Sequence, residues 1–302
     1  MSIRAWLLLK LIPAFSAPFR NVTQLDQTIR KNRAVGPALP PRRARQRFTL
    51  SDERWGDTRV LRLADRSDPA VPQRLLYLHG GAFIFHIQSG QWALPIELLG
   101  RLRGAVVTPF YPLAPEQDWR AGIAAARRVY LGLVDECGAH NVVVIGDSAG
   151  GGLALSLAQG LRDAGEPLPA ALVLFSPWLD LAVRGDDQPA IQRTDPALSI
   201  EFLRAAGRLW AHDEAVDDPR VSPLFAAQHG LPPTIVFSGT RDILDSDAVR
   251  LAAINPTITL QRYPGMFHVW AAAPIPEGRR ALDQAAAFIR TATTMICGGG
   301  GD

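Results

Sequence analysis

The sequence predicts an α/β protein built on one mostly parallel sheet of eight strands, with helices on both faces. Short β-branched runs and helix-like segments alternate along most of the chain, and such alternation builds parallel sheets with crossover helices. The runs at 74–79 and 142–145 are continuously apolar, as strands covered on both faces are. The 302 residues are 47% hydrophobic and 20% charged, which supports a sizeable core and is too apolar for a disordered chain.

The elements follow in order. Residues 1–45 read as helices and linker. The apolar run 5–13 follows Arg4 and is broken by Lys10. It is too short to span a bilayer, and no convincing small-x-small cleavage site follows it. We read it as a short amphipathic helix packed on the protein, with peripheral membrane contact as the alternative. Leu25, Ile29 and Val35 are sparse apolar positions, and Pro37, Pro40 and Pro41 close the segment. Arg42, Arg43, Arg45 and Arg47 form a basic cluster joined to no recognition motif; a solvated linker is expected and a nucleic-acid partner is not.

Strands at 46–50 and 58–64 alternate apolar and polar residues, the mark of one wet face. The chain then reads as strand 74–79, helix 92–103, strand 105–111, helix 121–137, strand 142–145, helix 151–164 and strand 171–176. Strand 234–238, helix 245–253, strand 258–263 and helix 279–291 complete it. Residues 180–230 break the rhythm with an amphipathic helix at 198–211 and no strand, and read as an insertion over the sheet edge. The core is therefore 46–179 with 231–296, and 297–302 is a glycine-rich tail. Cys137 and Cys297 have neither disulfide-framework nor zinc spacing, which fits inert thiols in a reducing, cytoplasmic setting. An exposed edge strand or helix is the place for a homodimer.

Chemistry concentrates at residues 142–152, where four β-branched residues run into Gly146-Asp147-Ser148-Ala149-Gly150-Gly151-Gly152. Between strand and helix, G-x-S-x-G is a nucleophile elbow. Ser148 needs a base, and the base needs a partner that fixes its tautomer. Two later loops follow strands: 239–245, with Asp242 and Asp245, and 264–270, with His268. They place serine, acid and histidine in the order of an α/β-hydrolase. Asp242 lies nearer the strand end than Asp245 or Asp247, and Asp245 reads as a helix N-cap. His86, His140, His212 and His229 share no metal-ligand spacing. Donors for a negative oxygen are expected from the N–H of Ala149 and from the loop His79-Gly80-Gly81-Ala82-Phe83.

These motifs together resemble the hormone-sensitive-lipase family of α/β-hydrolase esterases. His79-Gly80-Gly81-Ala82 resembles its H-G-G-G motif, and the elbow matches G-D-S-A-G-G. Residues 111–116 resemble Y-R-L-A-P-E, and Asp242-Ile243-Leu244 resembles D-P-L. The resemblance spans about residues 75–270. It implies an α/β-hydrolase fold with a helical cap made from the N-terminal helices and the insertion. It also implies Gly81, Ala82 and Ala149 as oxyanion donors, with His79 and Gly80 shaping the loop. Ala82, Pro112 and Ile243 depart from the pattern without removing a catalytic group.

The expected activity is hydrolysis of short- to medium-chain acyl esters by Ser148, Asp242 and His268, without metal or cofactor. Phe83, Phe85, Trp178, Ile243 and Val269 adjoin the motifs and are the expected apolar pocket. Lactone or N-acyl amide hydrolysis, a lipase working at a membrane surface, and a non-catalytic small-molecule receptor are the alternatives.

Overall fold

The computed structural model describes residues 1–16, 19–66 and 71–298. The chain opens with helices α1 (Ile3–Phe15), α2 (Leu25–Val35) and α3 (Arg42–Arg47). Strands β1 (Phe48–Trp55), β2 (Thr58–Asp65) and β3 (Arg74–Leu78) follow, then α4 (Ala93–Leu102), β4 (Ala105–Pro109) and α5 (Trp119–Cys137). Next come β5 (Val142–Asp147), α6 (Ala149–Asp163), β6 (Ala171–Phe175), α7 (Gln188–Gln192) and α8 (Ile200–Ala211). The chain ends with β7 (Thr234–Gly239), α9 (Asp245–Ile254), β8 (Thr259–Tyr263) and α10 (Pro276–Gly298).

The eight strands form one sheet in the order β1-β2-β4-β3-β5-β6-β7-β8. β2 runs antiparallel to both neighbours, and the pairings from β4 through β8 are parallel. Alternation along the strands divides the core in two. Leu76, Leu78, Val142, Val144, Leu172 and Leu174 face one layer, which includes residues of α5, α6, α8 and α9. Leu75, Tyr77, Val143, Ile145, Val173 and Phe175 face the other, with α4 and α10. β5, buried along its whole length, sits mid-sheet and delivers Ser148 from its carboxyl end, where sites form in open α/β sheets.

Three local expectations need correction. The strand expected at 46–50 begins at Phe48 and runs on to Trp55, because residues 46–47 close α3. Its charged stretch is tolerated at the sheet edge by pairing with β2: Asp52 bonds Arg59 at 2.6 Å and Glu53 meets Arg62 at 3.3 Å. The expected arginine linker is α3, anchored by buried Ala44 and by Arg47 over the Phe48 ring. Finally, α1 is not amphipathic in the expected sense, since large apolar residues face solvent as well as the core. Ala5 is buried and Leu8, Leu9 and Ile12 pack on the core, while Ile3, Trp6, Leu7 and Leu11 face solvent.

Cys137 is half-buried, its Sγ donating to the Leu133 carbonyl at 3.2 Å. Of the expected tail, residues 297 and 298 end α10 and 299–302 lie outside the described residues. Among the described residues, no helix is long and apolar enough to cross a membrane.

Candidate active site

The elbow is possible because two glycines remove side chains that could not fit. A Cβ on Gly146 would stand 2.2 Å from the Gly150 carbonyl oxygen, and one on Gly150 would stand 2.0 Å from that of Leu78. Ser148 itself sits at φ 53°, ψ −123°, a sparsely populated region that persists only when its surroundings hold it. Its N–H donates to Phe175 O at 2.9 Å, and its carbonyl accepts from Trp178 N at 3.0 Å. β6 and the following loop therefore clamp the turn from one side.

His268 reaches the elbow from the loop after β8. Its Nε2 lies 2.9 Å from Ser148 Oγ and its Nδ1 lies 2.9 Å from Asp242 Oδ2. With the proton on Nδ1 donated to the carboxylate, Nε2 is left to accept from the serine hydroxyl. Burial pulls the imidazole down. The Asp242 charge and hydrogen bond, with the charges of Asp195 and Asp147, outweigh it and hold His268 above the ordinary histidine value. The next residue, Val269, adopts a left-handed φ of 51°, unusual for a β-branched residue, and its N–H donates to Ser176 Oγ at 3.1 Å.

The acidic rivals are separated by their partners. Asp242 is fully buried and reaches His268. Asp245 is the first residue of α9 rather than its N-cap, and accepts from Ser238 and Arg262. Asp247 accepts from the Leu179 and Asp180 N–H groups, and burial pushes it up to about 7.

The loop after β3 is built to present N–H groups. The Gly80 N–H is taken by Asp147 Oδ1 at 2.9 Å. Gly81 has φ 120°, and Ala82 and Phe83 take φ 54° and 63°, so Ala82 adopts a backbone conformation that favours glycine. Among the described residues, the N–H groups of Gly81, Ala82 and Ala149 donate to no protein acceptor. His79 supports the loop from beneath: it is buried, stacked on Tyr111, and its Nδ1 meets the Gly80 carbonyl at 2.7 Å. Burial lowers its pKa to about 4, so the ring is neutral.

A family profile described as the alpha/beta hydrolase fold matches residues 75–272 of the 302. The chain belongs to the alpha/beta hydrolase fold family. Within that family the hydrolase is 37% identical over 226 residues to an acetyl-hydrolase of Streptomyces hygroscopicus, covering 72% of this chain and 76% of the relative. It is 34% identical over 235 residues to an esterase of Acinetobacter venetianus, covering 74% and 76%. A solved putative esterase from Staphylococcus aureus superposes with a TM-score of 0.83 at 30% identity, over 89% of this chain and 93% of that one. An esterase from the bacterial hormone-sensitive lipase family superposes at 0.84 with 26% identity, over 97% and 99%. The resemblance read from the motifs to that lipase family is thus met in sequence and in structure.

A cavity of about 250 Å³ opens over Ser148 in the hydrolase. Its apolar wall is Ile12, Phe19, Ala197, Leu198, Leu203 and Val269, and Ser16, Gln88 and Gln91 add polar atoms. Only Val269 among the five expected pocket residues lines it. The other four are core: Phe83 stacks on Trp178 and Trp210, Phe85 packs against Phe19 and Phe202, and Ile243 is fully buried behind the acid loop. Apart from Val269, the apolar wall named above comes from the N-terminal segment and from the insertion at 180–230.

Two buried carboxylates of the hydrolase escaped the sequence reading. Asp147 accepts from Tyr77 Oη at 2.6 Å and Gln91 Nε2 at 3.2 Å as well as from Gly80, so it ties the elbow to the loop after β3. Asp195 accepts from the N–H groups of Ala197, Leu198 and Ile243 at 2.7, 2.9 and 2.8 Å. One carboxylate thus joins two wall residues to the residue beside Asp242. Burial, reinforced by the Asp242 charge, pushes Asp195 up to about 6 despite those three donors. Arg33 of α2 donates to Ile84 O and Ala114 O and pairs with Glu116 at 2.9 Å, tying the N-terminal segment to the loops after β3 and β4.

Elsewhere, Asp118, His212 and Asp213 lie close enough to share a cation. The Arg120 guanidinium already bridges both carboxylates.

Proposed function

We propose that this carboxylic ester hydrolase is a serine esterase for short- to medium-chain acyl esters, working through an acyl-enzyme on Ser148. The observation that carries the proposal is the pair of 2.9 Å contacts that place His268 between Ser148 and Asp242.

Ser148 Oγ attacks the ester carbonyl as its proton passes to His268 Nε2. Asp242 holds the ring and stabilises the imidazolium. The N–H groups of Gly81, Ala82 and Ala149 take the negative oxygen of the tetrahedral intermediate. As the intermediate collapses, the alcohol leaves with the proton from Nε2. Water then gives a proton to the same nitrogen, attacks the acyl carbon, and frees the acid and Ser148.

Residues 1–45 and 180–230 act as the cap, since both contribute to the cavity wall over Ser148. An apolar cavity of about 250 Å³ suits a short acyl chain, being smaller than the roughly 300–1,000 Å³ of most ligand pockets. The acetyl-hydrolase relative supports the same range.

Ser148→Ala tests the mechanism. Turnover of a nitrophenyl acetate should fall by roughly four orders of magnitude or more. The intact enzyme should gain the mass of a fluorophosphonate adduct that the variant does not form. Near-normal turnover in the variant would sink the proposal.

A further inference from the structure

The outward side of α1 has no role in the chemistry above. Ile3, Leu7 and Leu11 recur every four residues and so form one row; they are 79%, 52% and 55% exposed. Trp6, on the neighbouring row, is 46% exposed. Large apolar side chains gathered on one exposed face mark a contact surface more often than scattered ones do.

We propose that this face of α1 docks the enzyme on an anionic lipid surface. The helix is held firmly from behind, so the face is presented outward. Ala5 is fully buried, Leu8 and Leu9 pack on the core, and Ser2 Oγ accepts from Ala5 N while donating to Glu277 of α10 at 2.9 Å. The protein core thus takes the place of the polar side that a free interfacial helix turns to water.

Charge selects the occupant. Residues 1–25 contain Arg4, Lys10 and Arg20 and no acidic residue. Lys10 lies within the apolar face, its Nζ 3.7 Å from the centroid of the Trp6 ring. The ammonium over the indole face is a cation–π contact, which places a positive charge beside the ring that would meet the lipid boundary. Self-pairing of two copies through α1 would bring Arg4 and Lys10 of both together with no acid on either helix. An anionic lipid surface meets the same charges with opposite sign.

Position supplies the use. Directly after Leu11, Ile12 lines the cavity over Ser148, as do Ser16 and Phe19 farther along the chain. Docking by the outer face of α1 would set the cavity wall beside the lipid, where acyl esters partition.

The test is flotation of the full chain with phosphatidylcholine vesicles, with and without phosphatidylglycerol, at low and high salt. Binding is read directly, so it does not depend on the esterase mechanism. The enzyme should float with the anionic vesicles, less so at high salt. Leu7→Glu/Leu11→Glu should lose roughly tenfold or more of that binding while hydrolysing a water-soluble acetate ester like the parent. Lys10→Glu alone, which leaves Ile3, Leu7 and Leu11 in place, should weaken binding to anionic vesicles only. Absence of flotation by the parent, or undiminished flotation of the double variant, overturns the proposal. So does a parent that runs as a dimer, a double variant that runs as a monomer, and no lipid binding by either.

Discussion

Gly150→Ala and Gly160→Ala lie in the same helix and should have opposite effects. A Cβ at position 150 would stand 2.0 Å from Leu78 O and 2.6 Å from His79 O. Relaxing the first contact to an ordinary separation of about 3.5 Å requires a shift of about 1.5 Å. The obstacle is backbone, pinned by the pairing of β3 with β5 at Leu78 and Gly146. Overpacking of this kind costs about 1–3 kcal/mol, and an immovable obstacle belongs at the upper end. The expected fall in Tm is several degrees, at about 2–4 °C per kcal/mol for a chain of this size. The displaced residues lead directly into Gly80, Gly81 and Ala82, and a misplacement of about 1 Å at a reacting centre can cost about a hundredfold in rate. Gly160 is exposed, with nothing within 4 Å of a built Cβ. Alanine there should add about 0.5–1 kcal/mol through helix propensity and leave kcat unchanged. Thermal unfolding and turnover of nitrophenyl acetate check both variants. Shifts in Tm of the same sign, or full kcat in Gly150→Ala, would refute the close-packing account of the elbow.

Three further outcomes are expected. His268 must be neutral to accept the serine proton, and its neighbouring carboxylates raise its pKa. The acid limb of the kcat/KM profile should therefore centre above the ordinary histidine value, and a limb below it contradicts the assignment. Asp195→Asn removes one of those negative charges and turns a donor toward at least one backbone N–H that the carboxylate now satisfies. The acid limb should move to lower pH, and stability should fall by about 1–3 kcal/mol from the unsatisfied group, offset in part by relief of the buried charge; an unmoved limb would reduce Asp195 to a structural brace. Leu203 is buried on α8 and lines the cavity, so Leu203→Phe should depress turnover of longer acyl esters more than of the acetate, read from a chain-length series.

The fold was legible because its signal is local. β3, β5 and β6 are buried along nearly their whole length, and only apolar residues suit such positions, so the strands announce themselves as continuous runs. β1 was misplaced because an edge strand need not be apolar. Asp52 and Glu53 are accommodated by arginines on β2, a pairing that alternation cannot reveal. The end of α3 is equally silent, since six polar and small residues held by one buried alanine look like linker.

The same reasoning separates the legible half of the site from the rest. A turn this tight tolerates only small residues at positions 146 and 150, and the proposed proton relay demands particular atoms at 148, 242 and 268. These constraints exclude most amino acids, so they leave a motif. A cavity wall asks only that a side chain be apolar and the right size, which is also what a core asks. Phe83 and Leu203 are therefore indistinguishable in sequence, although one stacks in the core between Trp178 and Trp210 and the other faces Ser148. Asp195 is hidden for a related reason. Its partners are backbone N–H groups, which every residue except proline carries, so nothing at 197, 198 or 243 records that a carboxylate is waiting there. On the function proposed above, substrate choice would rest on these unmarked wall positions rather than on the triad.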